Sequence, residues 1–312
     1  MVILITGVTG FIGSSILKFL IEKTNHDVIG FIRNENTEFN CLLNNLSGHS
    51  SRISLVKSFT FTNVDIIIHC AASAQVPLTI KNPQSAFDSN VVFTSNLLDY
   101  VKNNCLNLKK FIYLSTGEVY GPNESDRKWV EKDRLKCLTP YSATKAAGEC
   151  LVQGYSFAYE IPSVILRIQS VFGERQLSTK FFSQILTSII NNKLIHLNGS
   201  NIKNTTLVNW MHVEEVANAL IFLIDYQTRD NCEIYNLTGE KEISLFESVV
   251  LIGSTLSKKF NYQIDPVEIL SRGSRCCISN DKINSLGFKH EKIFETRLAE
   301  FVDWTLINMA KN

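Results

Sequence analysis

Neither sign of charge predominates in this chain: 31 Lys and Arg residues face 30 Asp and Glu in 312 residues, a formal net charge of +1. A near-neutral total supplies no global field to hold DNA, RNA or an anionic membrane, so function is expected in a local site. Long apolar runs are also missing. The nearest candidate, Val64 to Ala72, is interrupted by Asp65 and His69 and falls short of the ~20 residues needed to cross a bilayer. The N-terminus enters Val2-Ile3-Leu4-Ile5-Thr6 without the basic stretch and apolar core of a secretory signal, and a cytoplasmic location is expected. The 8 cysteines are scattered, with no C-x-x-C pair of the kind that builds zinc or redox sites, and no metal is expected. Repeats, low-complexity tracts and obvious linkers are absent. With 45% hydrophobic residues the chain is nonetheless apolar enough to fold around a dry core and a cleft.

What is present is alternation. Short apolar runs and longer helical patterns take turns through the first two-thirds, the signature of βαβ units around a parallel sheet. Strands are expected near Val2–Thr6, Val28–Ile32, Ser54–Val56, Asp65–Cys70, Phe111–Ser115 and Ser163–Ile168. Helical spacing covers Phe11–Lys23, Pro83–Asn104 and Pro140–Tyr159; two of these begin with proline, where a missing N–H costs nothing. Beyond Arg167 the pattern loosens until a C-terminal helix near Phe294–Met309.

Gly7-Val8-Thr9-Gly10-Phe11-Ile12-Gly13 follows the first strand and opens the first helix. In that context Gly7 permits a tight turn, Gly10 lets phosphates approach, Gly13 lets helix pack on strand, and free N–H groups at the helix start face a diphosphate. Past the second strand, where an acidic residue would hold ribose hydroxyls, Ile32-Arg33-Asn34 offers a cation suited to a 2′-phosphate, although a solvated arginine at a strand end fits as well. Tyr141 and Lys145 stand one helical turn apart, so an ammonium can stabilise the phenolate of a group whose ordinary pKa is near ~10. Thr116, at the C-terminal end of an apolar strand, can bond the same substrate oxygen. Glu118 is either a second acid–base group or a solvated loop charge.

Those segments, with His69-Cys70-Ala71-Ala72, Asn90, Arg167 through Val171-Phe172-Gly173, Trp210–Ala217 and Ser285–Phe288, resemble the extended short-chain dehydrogenase/reductases, the NAD(P)-dependent nucleotide-sugar epimerase/dehydratase group. The resemblance implies a Rossmann-type doubly wound α/β sheet with a smaller C-terminal substrate-binding lobe. Residues 1–168 would form the cofactor domain, with a returning segment near 208–230, and 169–207 plus 231–312 the substrate lobe. It implies that Gly7, Gly10, Phe11, Ile12, Gly13, Arg33, Ala71 and Ala72 bind the cofactor with Tyr141 and Lys145. Thr116, Tyr141 and Lys145 would form the catalytic set, Glu118 would assist, and Gln169, Ser170, Arg272 and Arg275 would line the nucleotide-sugar site. The helices over Pro83–Asn104 and Pro140–Tyr159 resemble those that pair across a homodimer axis.

Departures from the group's pattern matter as much. Members that remove a 6-hydroxyl resemble Thr-Asp-Glu where this chain has Thr116-Gly117-Glu118, and Gln169-Ser170 and Val208-Asn209 stand where others have asparagine and arginine. The expected activity is NADPH-dependent reduction of a nucleotide-linked 4-keto-6-deoxy sugar, with Tyr141 as proton donor. The alternatives are a 4-epimerase retaining NAD and a non-catalytic cofactor-sensing protein.

Overall fold

Runs of β-branched residues build the centre of the fold. The computed structural model describes the whole chain apart from Glu35, Glu124, residues 267–274 and residues 310–312. Six parallel strands, β1 (Val2–Thr6), β2 (Asp27–Phe31), β3 (Ile53–Val56), β4 (Ile66–His69), β5 (Lys110–Thr116) and β6 (Ser163–Ile168), lie in the order 3-2-1-4-5-6. A seventh, Cys232–Leu237, pairs with β6 in parallel register from Cys232–Ser163 to Leu237–Ile168. This is the Rossmann-type sheet expected. Ile66, Ile67 and Ile68 are all buried because helices cover both faces, which is why that strand shows no polar alternation.

One boundary moves. The sequence reading put everything after 230 in the second lobe, whereas Cys232–Leu237 completes the main sheet. The helix before it, Val213–Asp225, packs on α1 (Phe11–Lys23) within the largest apolar cluster. Its apolar face of Val216, Leu220 and Leu223 is buried in that cluster.

The pattern over Pro83–Asn104 resolves into Pro83–Phe87, a π-helical turn at Asp88–Val92, and Phe93–Asn104. The wider turn carries Asn90 inward. Its carboxamide accepts from the Ser73 N–H at 2.7 Å and donates to the Thr144 hydroxyl at 3.0 Å, tying the loop after β4 to the helix Pro140–Tyr159. The second lobe is built on aromatic packing instead: Phe172, Phe182, Trp210 and Phe301 meet with ring centroids between 4.5 and 6.3 Å.

Candidate active site

Strand order reverses between β1 and β4, and a crevice opens at their C-terminal ends. At β1 the chain turns through Gly7, whose φ of +70° suits glycine and whose Cβ, if present, would lie 2.7 Å from the Ala71 nitrogen. A Cβ on Gly13 would lie 2.2 Å from the Gly7 carbonyl oxygen, so the helix can sit on the turn only with glycine there. Gly10 starts α1 without a side-chain cap, leaving the first N–H groups of a 13-residue helix available to an anion. At β4, a buried His69 bridges Thr6 at 2.6 Å and Thr94 at 2.9 Å. Burial pushes its pKa down to about 3, so it acts as a neutral strut holding the two strand ends together.

The resulting cleft of about 760 Å³ is lined by Gly7, Thr9, Gly10, Arg33, Asn34, Asn36, Cys70, Ala71 and Ala72, with Ser85 and Phe93 opposite. A dinucleotide fits it: the glycines leave space where any Cβ would intrude, and the uncapped helix faces it. The cleft therefore gathers Gly7, Gly10, Arg33, Ala71 and Ala72 as expected, with Phe11, Ile12 and Gly13 opening the helix beside it. Arg33 is exposed and lies two residues beyond β2, because the strand ends at Phe31 rather than at Ile32.

Asn36 was not anticipated. It caps the helix Thr37–Asn45 through Phe39 N–H at 2.7 Å and donates to the Thr9 carbonyl at 3.2 Å, pinning the Arg33 loop to the glycine turn. An asparagine just before a helical stretch was the available signal.

The helix Pro140–Tyr159 begins with a capping box in which Thr139 and Ser142 exchange hydrogen bonds. It carries Tyr141, half-buried, and Lys145, fully buried one turn on. The Lys145 ammonium sits 4.0 Å from the centroid of the Tyr113 ring. Burial lowers its pKa to about 7 against the opposing pull of Glu149 and Cys70. Thr116 ends β5, and its Oγ1 accepts from the Glu118 N–H at 3.2 Å, which leaves the hydroxyl proton available to a ligand. Glu118 is half-buried in the turn that follows.

Beneath lies a buried ion pair. Arg167 on β6 grips Glu149 with contacts of 2.6 to 3.1 Å, Glu149 accepts from the Ser115 hydroxyl, and Arg167 reaches the Tyr120 hydroxyl at 2.6 Å. This pair fixes the ends of β5 and β6 to the helix Pro140–Tyr159.

Past β6, Gln169 and Ser170 are buried, and neither Gln169 Oε1 nor Ser170 Oγ has a hydrogen-bond partner. The Gln169 side chain fills the space beside Gly117, where a Cβ would lie 2.9 Å from Oε1. Arg275, expected to line the nucleotide-sugar site, is engaged within the protein. Its guanidinium grips Glu242 at 2.5 and 2.7 Å and donates to the Ser125 carbonyl at 2.8 Å, so its charge is already compensated. Arg272 lies outside the described residues. Arg175 was not foreseen: it reaches from the second lobe to Ser14 at 3.3 Å and Ser15 at 2.8 Å on α1.

Fold and site together define a Rossmann-type nucleotide-cofactor protein carrying a Tyr-x-x-x-Lys pair. Residues 3–238 match the model of the NAD dependent epimerase/dehydratase family, and the chain belongs to that family of enzymes. It is similar to a dTDP-D-glucose 4,6-dehydratase of Dictyostelium discoideum, 31% identical over 78% of this chain and 59% of that one. The low-salt glycan biosynthesis protein Agl12 of Haloferax volcanii is 28% identical over 97% of this chain and 98% of its own. Among solved structures, a Bacillus cereus UDP-glucuronic acid 4-epimerase in complex with UDP-glucuronic acid and NAD superimposes with a TM-score of 0.86 at 23% identity, covering 97% of this chain and 98% of that one. DesIV of Streptomyces venezuelae, a dTDP-glucose 4,6-dehydratase solved with NAD, gives 0.85 at 23%, covering 99% and 98%.

Proposed function

We propose that this enzyme moves a hydride between a nicotinamide dinucleotide and C4 of a nucleotide-linked hexose, with Tyr141 exchanging the proton at the C4 oxygen. The observation that carries this is the placement of Lys145, fully buried one turn from Tyr141 on the same helix, where burial draws its pKa down to about 7. Its positive charge favours the Tyr141 phenolate, while the Thr116 hydroxyl orients the sugar oxygen. The nicotinamide, when bound, supplies or accepts the hydride. Gly7, Gly10 and the first turn of α1 hold the diphosphate, and Ala71 and Ala72 form the opposite wall.

The direction we propose is NADPH-dependent reduction of a 4-keto-6-deoxy sugar. Two features support it. Arg33 projects from the pinned loop into the cleft as a cation for a 2′-phosphate. Position 117, where 6-dehydrating members resemble an aspartate, is a glycine against which Gln169 packs, so no acid stands there to expel a 6-hydroxyl. A second reading, 4-epimerisation on retained NAD, is favoured by the NAD in the complexes of its structural neighbours.

Protein purified without added cofactor separates the two. Denaturation should release no stoichiometric NAD, and calorimetry should give NADPH a Kd about tenfold or more below that of NADH, as expected for one charge-assisted contact. Stoichiometric NAD with equal affinities would replace the reductase by the epimerase.

A further inference from the structure

A buried ammonium keeps its proton only beside an electron-rich neighbour. Lys145 is 2% exposed, and among the described residues its Nζ has no hydrogen-bond acceptor. The carboxylate one turn on, Glu149, is already engaged by Arg167 and the Ser115 hydroxyl. What lies against the ammonium is a ring: Nζ stands over Tyr113, 4.0 Å from its centroid. Tyr113 belongs to β5, the strand that ends at Thr116, and it is fully buried.

The surroundings hold the ring in that place and keep it available. Its hydroxyl donates to the Lys145 carbonyl at 3.4 Å, which ties strand to helix beside the lysine. Gly148, further along the same helix, makes the room: a Cβ there would lie 2.1 Å from the Tyr113 hydroxyl oxygen. From β4, His69 packs on the ring with centroids 5.5 Å apart, and its pKa of about 3 keeps it neutral, so it brings no second cation to the ring. Burial, with Glu149 and Tyr141 nearby, holds the Tyr113 phenol well above its ordinary range, so it remains an uncharged π-system. The Cys70 thiol, the other titratable group facing Lys145, is pushed up to about 12 by burial and is neutral as well.

We propose that Tyr113 is a positioning residue: the face of its ring holds the Lys145 ammonium in the charged form, one turn from Tyr141, where no described side chain accepts a hydrogen bond from it. The inference rests on the hydride-transfer reading given above and deepens it. A desolvated cation over an aromatic face is stabilised by the ring's negative centre. Without that face a larger share of Lys145 is neutral near pH 7, and the Tyr141 phenolate loses its counter-charge.

The test varies the charge of the ring face and keeps its shape. Position 113 is changed by Tyr113→Phe and, by incorporation of unnatural amino acids, to difluorophenylalanine and pentafluorophenylalanine, which progressively drain the negative centre. The Lys145 pKa is read by NMR from isotope-labelled lysine in the unliganded protein, with Lys145→Met identifying the signal and melting temperature confirming the fold of each variant. Tyr113→Phe should titrate with wild type. The fluorinated rings should lower the Lys145 pKa in graded steps, by about one unit at the pentafluoro ring, and the difluoro step alone decides the matter if the last variant does not fold. Equal pKa values along the series would make Tyr113 a packing residue and overturn the proposal, as would a drop in Tyr113→Phe as large as in the fluorinated proteins. The pH profile of kcat with a nucleotide-linked 4-keto sugar should move with the pKa. A pKa that shifts while the profile stays put would overturn the hydride-transfer reading through Lys145, and with it the role given to Tyr113.

Discussion

In the proposed mechanism a phenol, an ammonium and a hydroxyl carry the chemistry, and each can be removed singly. Tyr141→Phe takes away the phenolic hydroxyl and keeps the ring; turnover should fall by about 10²–10⁴, the range for general acid–base groups. Unchanged kcat would move proton transfer to another group. Lys145 makes a prediction about stability. It ionises near 7 when folded and near ~10.4 when unfolded, so between those pH values the unfolded chain holds the extra proton and the lysine's contribution to stability rises with pH. Below 7 the lysine is charged in both states and the full penalty of burying charge applies. Lys145→Met should therefore stabilise the unliganded protein most at pH 6 and least near pH 10, read as urea midpoints against wild type. A pH-independent difference would contradict the buried, depressed lysine. Arg33 was readable at this scale as a cation just past the second strand, and it lies on the cleft. Gln169 is less so, because its missing hydrogen bond exists only in three dimensions.

Among the elements, the glycine turn and the β5–β6 ends are the two rigid parts. Gly13→Ala would set a methyl 2.2 Å from the Gly7 carbonyl, forcing α1 off the turn. A loss of about 1–3 kcal/mol, typical of overpacking, is expected in denaturant titration, together with weakened cofactor binding. Glu149→Ala would leave Arg167 charged and 3% exposed with its carboxylate gone. Breaking such a pair costs about 3–5 kcal/mol, and a loss below 1 kcal/mol would mean that the pair does not anchor the strand ends. The strands and long helices were readable from periodicity because burial on one or both faces dictates it. The division of Pro83–Asn104 by a π-helical turn was not, since a five-residue turn is too short to leave a period of its own in the sequence. Nor was the return of Cys232–Leu237 to the main sheet readable, for strand order is set by packing between distant segments rather than by local pattern. Arg275 misled for a related reason: its partner Glu242 is 33 residues away.

At the scale of the whole molecule, Arg175, from the segment beyond β6, reaches Ser14 and Ser15 of α1 and ties the later part of the chain to the first helix. The helix Pro140–Tyr159 also presents a stripe of Ala143, Ala147, Cys150, Gly154 and Phe157, at alternating spacings of four and three residues, with Phe157 85% exposed. That spacing suits the seam between paired helices, and we propose on it the homodimer that the sequence resemblance implies. Light scattering at micromolar concentration should give twice the chain mass for wild type and the single mass for Phe157→Asp; a wild-type monomer would contradict the dimer.

The central claim is that Tyr141 and the bound dinucleotide act together on C4 of a nucleotide-linked sugar. It is tested most directly by supplying a nucleotide-linked 4-keto-6-deoxyhexose with NADPH deuterated at the transferable position. The predicted result is consumption of NADPH in step with sugar, deuterium at C4 of the product, and no reaction with Tyr141→Phe. Retention of all deuterium in NADPH, with every 4-keto sugar offered, would contradict it.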